Sequence, residues 1–208
     1  MRLLLTGFGA FGEIAVNPSE LVVREIENRA NLNAHVSLQT EILPTEFISA
    51  ERRITNLILE ARPDVILSLG VAERLNAIVL ERFALNLDDT NMPDNVGSLP
   101  KAMPIDSDSP LAYSSTLPLS QLASKLAEAS IPVAISNHAG TFVCNHIFYV
   151  ARNVIERAGM KTMCGFVHLP LNSEQIISPN AKGHRIPLDV LVNAVELCID
   201  HLQTTFHV

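Results

Sequence analysis

Val65-Ile66-Leu67-Ser68-Leu69-Gly70 is the stretch that most limits what this chain can become. A strand-length run that is apolar without alternation predicts a strand covered on both faces, and such strands belong to sheets with helices on either side. What precedes it fits. Residues 2–6 read as a short strand. Asn17-Pro18-Ser19 opens a helix, with asparagine as cap and proline in the first turn. Residues 35–43 alternate as a strand that Pro44-Thr45 closes, and residues 47–61 form an amphipathic helix with Ile48, Ile54, Leu57, Ile58 and Ala61 on one stripe. Arg62-Pro63-Asp64 is the turn into the central run. The alternation predicts an α/β fold: a single-domain α/β/α sandwich over residues 1–208, around a central, largely parallel (mixed) twisted sheet.

The second half continues the pattern less regularly. Ile78 to Leu85 lies in a strand-like apolar run over residues 77–87 that contains Glu81 and Arg82. Residues 88–104, with Pro93, Gly97, Pro100 and Pro104, read as a long ordered loop, and loops of that length are often functional. A helix is expected over 119–129, a buried strand over 131–135, a strand over 161–168 and a last helix from 186 to about 205. With 208 residues, 48% of them hydrophobic, the chain can bury a core without staples. A net charge of −7 and no cluster of Lys or Arg argue against nucleic acid and against an anionic membrane surface. Met1 to Leu5 starts like a signal peptide but Thr6-Gly7-Phe8-Gly9 ends the run, and no stretch reaches the roughly 20 apolar residues of a membrane span. Three cysteines, at 144, 164 and 198, without paired spacing, form a cytoplasmic thiol pattern. No metal-ligand spacing is found, and neither metal nor cofactor is expected.

Three ionisable residues stand where chemistry is done. Cys144 follows the small pair Ala139-Gly140 and precedes Ile147, Val150, Ala151, Val154 and Ile155 at helical spacing, so it sits where a turn feeds a helix. Unpaired N–H groups there, with the positive end of the helix dipole, favour a thiolate and could receive an oxyanion. A small apolar residue packed under a helix fits Cys144 equally well. Glu81 lies inside an apolar strand, where a carboxylate is costly without a partner. An edge position or an ion pair with Arg82 is the plainer reading, although adjacent strand residues face opposite ways. His168 ends a strand, and sites in open α/β sheets gather at strand carboxyl ends. Thiol, imidazole and carboxylate are the types a nucleophile, its base and the base's orienting group require. His138 is a rival base; His35, His184, His201 and His207 read as solvated, and His146, a weaker candidate, fits a surface residue of the first helical turn equally well. The loop Gly7-Phe8-Gly9-Ala10-Phe11-Gly12 matches no phosphate-loop spacing and has no basic residue, which weighs against a phosphate-dependent transferase. Its two phenylalanines either offer aromatic faces to a flat ligand or plug the core.

These residues carry a resemblance that spans the chain. Thr6-Gly7-Phe8 with Phe11-Gly12, Asn17-Pro18-Ser19, Pro44-Thr45, Pro63-Asp64 to Gly70, Glu81-Arg82 with Ala84 and Asn86, Pro93-Asp94-Asn95 with Gly97, Ser136-Asn137 with Ala139-Gly140, Cys144-Asn145, Gly165-Phe166, His168, Pro170 and Glu174-Gln175 resemble the pyroglutamyl-peptidase I family of cysteine peptidases. The resemblance implies an omega-peptidase with the triad Cys144, His168 and Glu81. It implies a lactam pocket lined by Phe8, Phe11, Thr45, Val71, Met92, Phe142 and Val143, and peptide substrates with an N-terminal pyroglutamate. It also implies a homo-oligomer, dimer or tetramer. The chain departs from the family pattern at Glu73, Val79, His138 and Ser173, and at Asn91, which stands in a slot usually held by arginine. That last departure opens an alternative: a weak or inactive relative that binds a lactam or related amide.

Overall fold

The computed structural model describes residues 1–29, 35–173 and 185–206. In chain order the elements are β1 (Arg2–Phe8), α1 (Pro18–Asn28), β2 (Ser37–Leu43), α2 (Phe47–Ala61), β3 (Val65–Val71), β4 (Ile78–Glu81), β5 (Phe83–Leu85) and β6 (Ala112–Ser114). Then come α3 (Leu119–Glu128), β7 (Val133–Ser136), α4 (Val143–Arg157), β8 (Met163–Leu169), β9 (Leu171–Asn172), β10 (Arg185–Ile186) and α5 (Leu188–Phe206). Asn17 caps α1 as expected, its side-chain oxygen accepting from the Ser19 N–H. The left-handed Arg62 ends α2.

A six-stranded sheet in the order β2-β1-β3-β8-β4-β7 forms the middle layer. β2, β1, β3 and β8 run parallel; β4 is antiparallel to β8 and parallel to β7. The mixed, mostly parallel sheet is therefore the one the alternation predicts. Buried side chains of α1, α3 and α5 cover one face, and those of α2 and α4 cover the other. β3 is buried on both sides, as its unbroken apolar run requires.

Several expectations need correction. The apolar run over 77–87 is two strands, because the chain leaves the sheet at Arg82; β5 then pairs with β6 in a separate ribbon. There Arg82 is exposed and its Nη1 donates to the Asn137 side chain at 2.7 Å. β7 is expected as a buried strand but is an edge strand, only partly buried, because among the described residues nothing pairs beyond it in that sheet. β6 escapes sequence reading, since three residues carry too little pattern. The Gly7–Gly12 stretch is not a free loop either: β1 extends through Phe8, and the Gly9 and Ala10 carbonyls accept from Asn17 and Asn95 side chains.

Candidate active site

Gly140, at φ +82°, turns the chain after β7, and Phe142 leads into α4 in an extended conformation without a side-chain cap. Cys144 is the second residue of the helix, so the first backbone N–H groups around it lack helical partners. Its sulfur packs against the backbone of β3. A methyl group on Gly70 would come within 2.9 Å of the Cys144 sulfur and 2.8 Å of the Phe166 ring. Asn145, fully buried, fixes the same turn from the other side. It accepts from the Leu85 N–H at 2.8 Å and donates to the Leu85 and Leu87 carbonyls at 2.9 and 3.1 Å.

His168 lies near the carboxyl end of β8, paired in register with Gly70 on one side and Val79 on the other. Glu81 and His168 share a face of the antiparallel β4–β8 pair, offset by two residues. The His168 Nδ1 meets the Glu81 Oε1 at 2.7 Å, both side chains buried. Cys144 lies near enough to the imidazole to favour its protonated form. Burial pulls the His168 pKa down, but Cys144 and the bond to Glu81 outweigh it and leave the ring easier to protonate than free histidine. The second Glu81 oxygen is buried with no partner among the described residues. The structure thus brings Cys144, His168 and Glu81 together from three elements, and Arg82 is not the partner of Glu81.

A cavity of about 440 Å³ opens beside the sulfur. Phe8, Phe11, Thr45, Val71, Met92 and Phe142 line it with Cys144, and so do Ile14, Asn17, Ala72, Glu73 and Arg74. Val143 does not: its side chain is fully buried among the apolar residues under α4, because the helix turns that position toward the core. Phe8 answers to both readings of its loop, lining the cavity while packed against Phe166. Phe11 and Phe142 meet at 5.0 Å with their rings tilted by 44°, and Phe142 meets Phe47 edge-to-face at 5.4 Å. Phe47, Asn145 and Gly70 were missed by sequence reading. A glycine ending a buried strand is the one local signal, since it marks close approach.

His138 is exposed, and its Nδ1 accepts from the Gly140 N–H. His35 is exposed and His201 bonds Gln121, while His184 and His207 lie outside the described residues. His146 overturns its expectation: it is buried, between Asp88 and Glu51. The side-chain oxygen of Asn91 accepts from the Lys101 ammonium at 2.7 Å, so a lysine stands beside the slot that the family pattern usually gives to arginine. Among the described residues no group of three or more His, Cys, Asp or Glu side chains could hold a metal, and no helix is long and apolar enough to cross a membrane.

Known proteins resemble this chain along nearly its whole length. A family model described as pyroglutamyl peptidase matches residues 1–204. A pyrrolidone-carboxylate peptidase of Caldanaerobacter subterraneus subsp. tengcongensis is 35% identical over 200 residues, covering 96% of each chain. One from Thermococcus onnurineus is 38% identical over 199 residues, covering 96% of this chain and 97% of its own. Among solved structures, the pyroglutamyl peptidase I of Bacillus amyloliquefaciens superposes with a TM-score of 0.89 at 33% identity, over 97% of this chain and 94% of its own. Nothing in these matches favours a lactam binder without turnover.

Proposed function

The chain belongs to the pyroglutamyl peptidase family, and from that membership we propose that it removes the N-terminal pyroglutamyl residue of peptides through a thioester acyl-enzyme. The observation that carries the mechanism is the buried Glu81–His168 pair, with a thiol beside it at a helix start. Cys144 attacks the carbonyl carbon of the pyroglutamyl residue, and His168 takes the thiol proton. The oxyanion is received by N–H groups at the start of α4. His168 then passes the proton to the leaving amine, and water, deprotonated by the same imidazole, hydrolyses the thioester. Glu81 holds the Nδ1–H tautomer, which turns Nε2 toward the sulfur.

The cavity supports the substrate class. A lactam carries no charge, and aromatic walls from Phe8, Phe11 and Phe142 with few polar groups suit it. A free α-amino group would lose hydration against those rings, which return no hydrogen bond. Release of coumarin from a pyroglutamyl-coumarin substrate is the test, wild type beside Cys144→Ala. Turnover that vanishes in the variant is expected; turnover that survives it, or equal cleavage of glutaminyl and pyroglutamyl substrates, overturns the reading. The chain is further expected to act in the cytoplasm and to associate with its own copies. Exposed Val96, Leu99 and Met103 offer an apolar surface for that, and light scattering decides.

A further inference from the structure

His146 is a buried ionisable group that the mechanism leaves unused. It projects from the first turns of α4, two residues beyond Cys144, and does not line the cavity. Both ring nitrogens face carboxylates: Nδ1 lies 2.7 Å from Asp88 Oδ2, and Nε2 lies 3.3 Å from Glu51 Oε2. A neutral imidazole has one N–H and would set its bare nitrogen against a carboxylate oxygen. Only the doubly protonated ring donates to both. Asp88, from the long loop, and Glu51, from α2, are the charged groups bonded to that ring.

The ring also ends a column of aromatics. His146 meets Phe47 edge-to-face at 5.3 Å, Phe47 meets Phe142 at 5.4 Å, and Phe142 meets Phe11 at 5.0 Å. Phe11 and Phe142 are cavity walls. The Phe47 N–H donates to Asp94, so the loop that carries Asp88 is tied to the same column a second time. We propose that His146 is a positioning residue: its imidazolium clamps the Asp88 loop and α2 to the start of α4, and so sets the aromatic wall of the lactam pocket relative to the Cys144 sulfur. The clamp is sensitive to alkali. Burial lowers the His146 pKa, but the bonds to Asp88 and Glu51 outweigh it and hold it at about 9, so the second proton leaves as pH rises through that value.

This inference rests on the peptidase reading, and its test separates the two. Turnover of the pyroglutamyl-coumarin substrate is followed from about pH 6 to about pH 10. Wild-type KM should rise through pH of about 9. His146→Gln should raise KM roughly 10-fold at neutral pH with kcat little changed, and should flatten the pH dependence of KM. Glu51→Gln, at a half-exposed position that tolerates change, should move the rise of KM to lower pH. A Glu51→Gln profile that superposes on wild type overturns the clamp, even if His146→Gln does not fold. So does a His146→Gln variant that loses kcat at unchanged KM. Absence of wild-type turnover would instead sink the peptidase reading. The clamp would then be judged by the NMR titration of the His146 ring, which should move to lower pH in Glu51→Gln.

Discussion

Gly70 faces the Cys144 sulfur with a hydrogen atom where any other residue would put a carbon, and that carbon would sit 2.9 Å from the sulfur. Gly70→Ala must therefore push the thiol or the Phe166 ring aside. A displacement near 1 Å costs about 100-fold in rate, so kcat/KM should drop about that much while the fold persists. Iodoacetamide labelling of Cys144 at neutral pH should slow in parallel; unchanged labelling and rate would show that the strand yields instead. Glu81→Gln probes the other end of the relay. Its amide can donate to Nδ1 and so favours the wrong tautomer, and kcat should fall by about 10³- to 10⁴-fold. A loss under tenfold would remove Glu81 from the mechanism. Of these two residues, the sequence singles out Glu81 only in part and Gly70 not as a site residue. Glu81 was visible because a carboxylate in an apolar strand needs a partner, but the identity of that partner depends on β4 lying antiparallel beside β8, which no local pattern encodes.

At the level of elements, the Asn145 side chain ties the start of α4 to β5 and the residues just after it through three hydrogen bonds. Asn145→Ala leaves the part-buried Leu85 N–H and two part-buried carbonyls without this partner, which should cost about 1–3 kcal/mol in urea unfolding. A loss below about 1 kcal/mol would mean that water replaces the amide. The contrast between elements shows what a sequence can express. α2 matches its expected span because a stripe of apolar residues and a left-handed stop delimit it locally. β3 was legible from burial on both faces. The run over 77–87 was not, since the break at Arg82 comes from β5 joining β6, an encounter decided some thirty residues downstream. His146 was misread for a related reason. α4 is buried nearly all round, so a polar residue in its first turns meets the interior rather than solvent.

For the molecule as a whole, both buried histidines have their pKa raised to about 9 from 6.5. A group easier to protonate when folded lends stability that is complete below its unfolded value, here 6.5, and is lost as pH rises through about 9. The urea midpoint should accordingly fall between neutral pH and pH of about 10, and fall less in His146→Gln. A midpoint that rises over that interval would contradict the paired state of both rings.

The strand order has a consequence for how the chain is made. β8 sits between β3 and β4, although it leaves the ribosome long after both. Until residue 169 has emerged, β3 and β4 each keep an edge that only the late strand can fill, and His168 remains 87 positions away from Glu81 along the chain. On the proposed mechanism, a nascent chain therefore carries its thiol for some time without its base. On that mechanism the order of synthesis delays an activated thiol until the sheet is complete, and until then the unfilled strand edges are open to pairing with other chains.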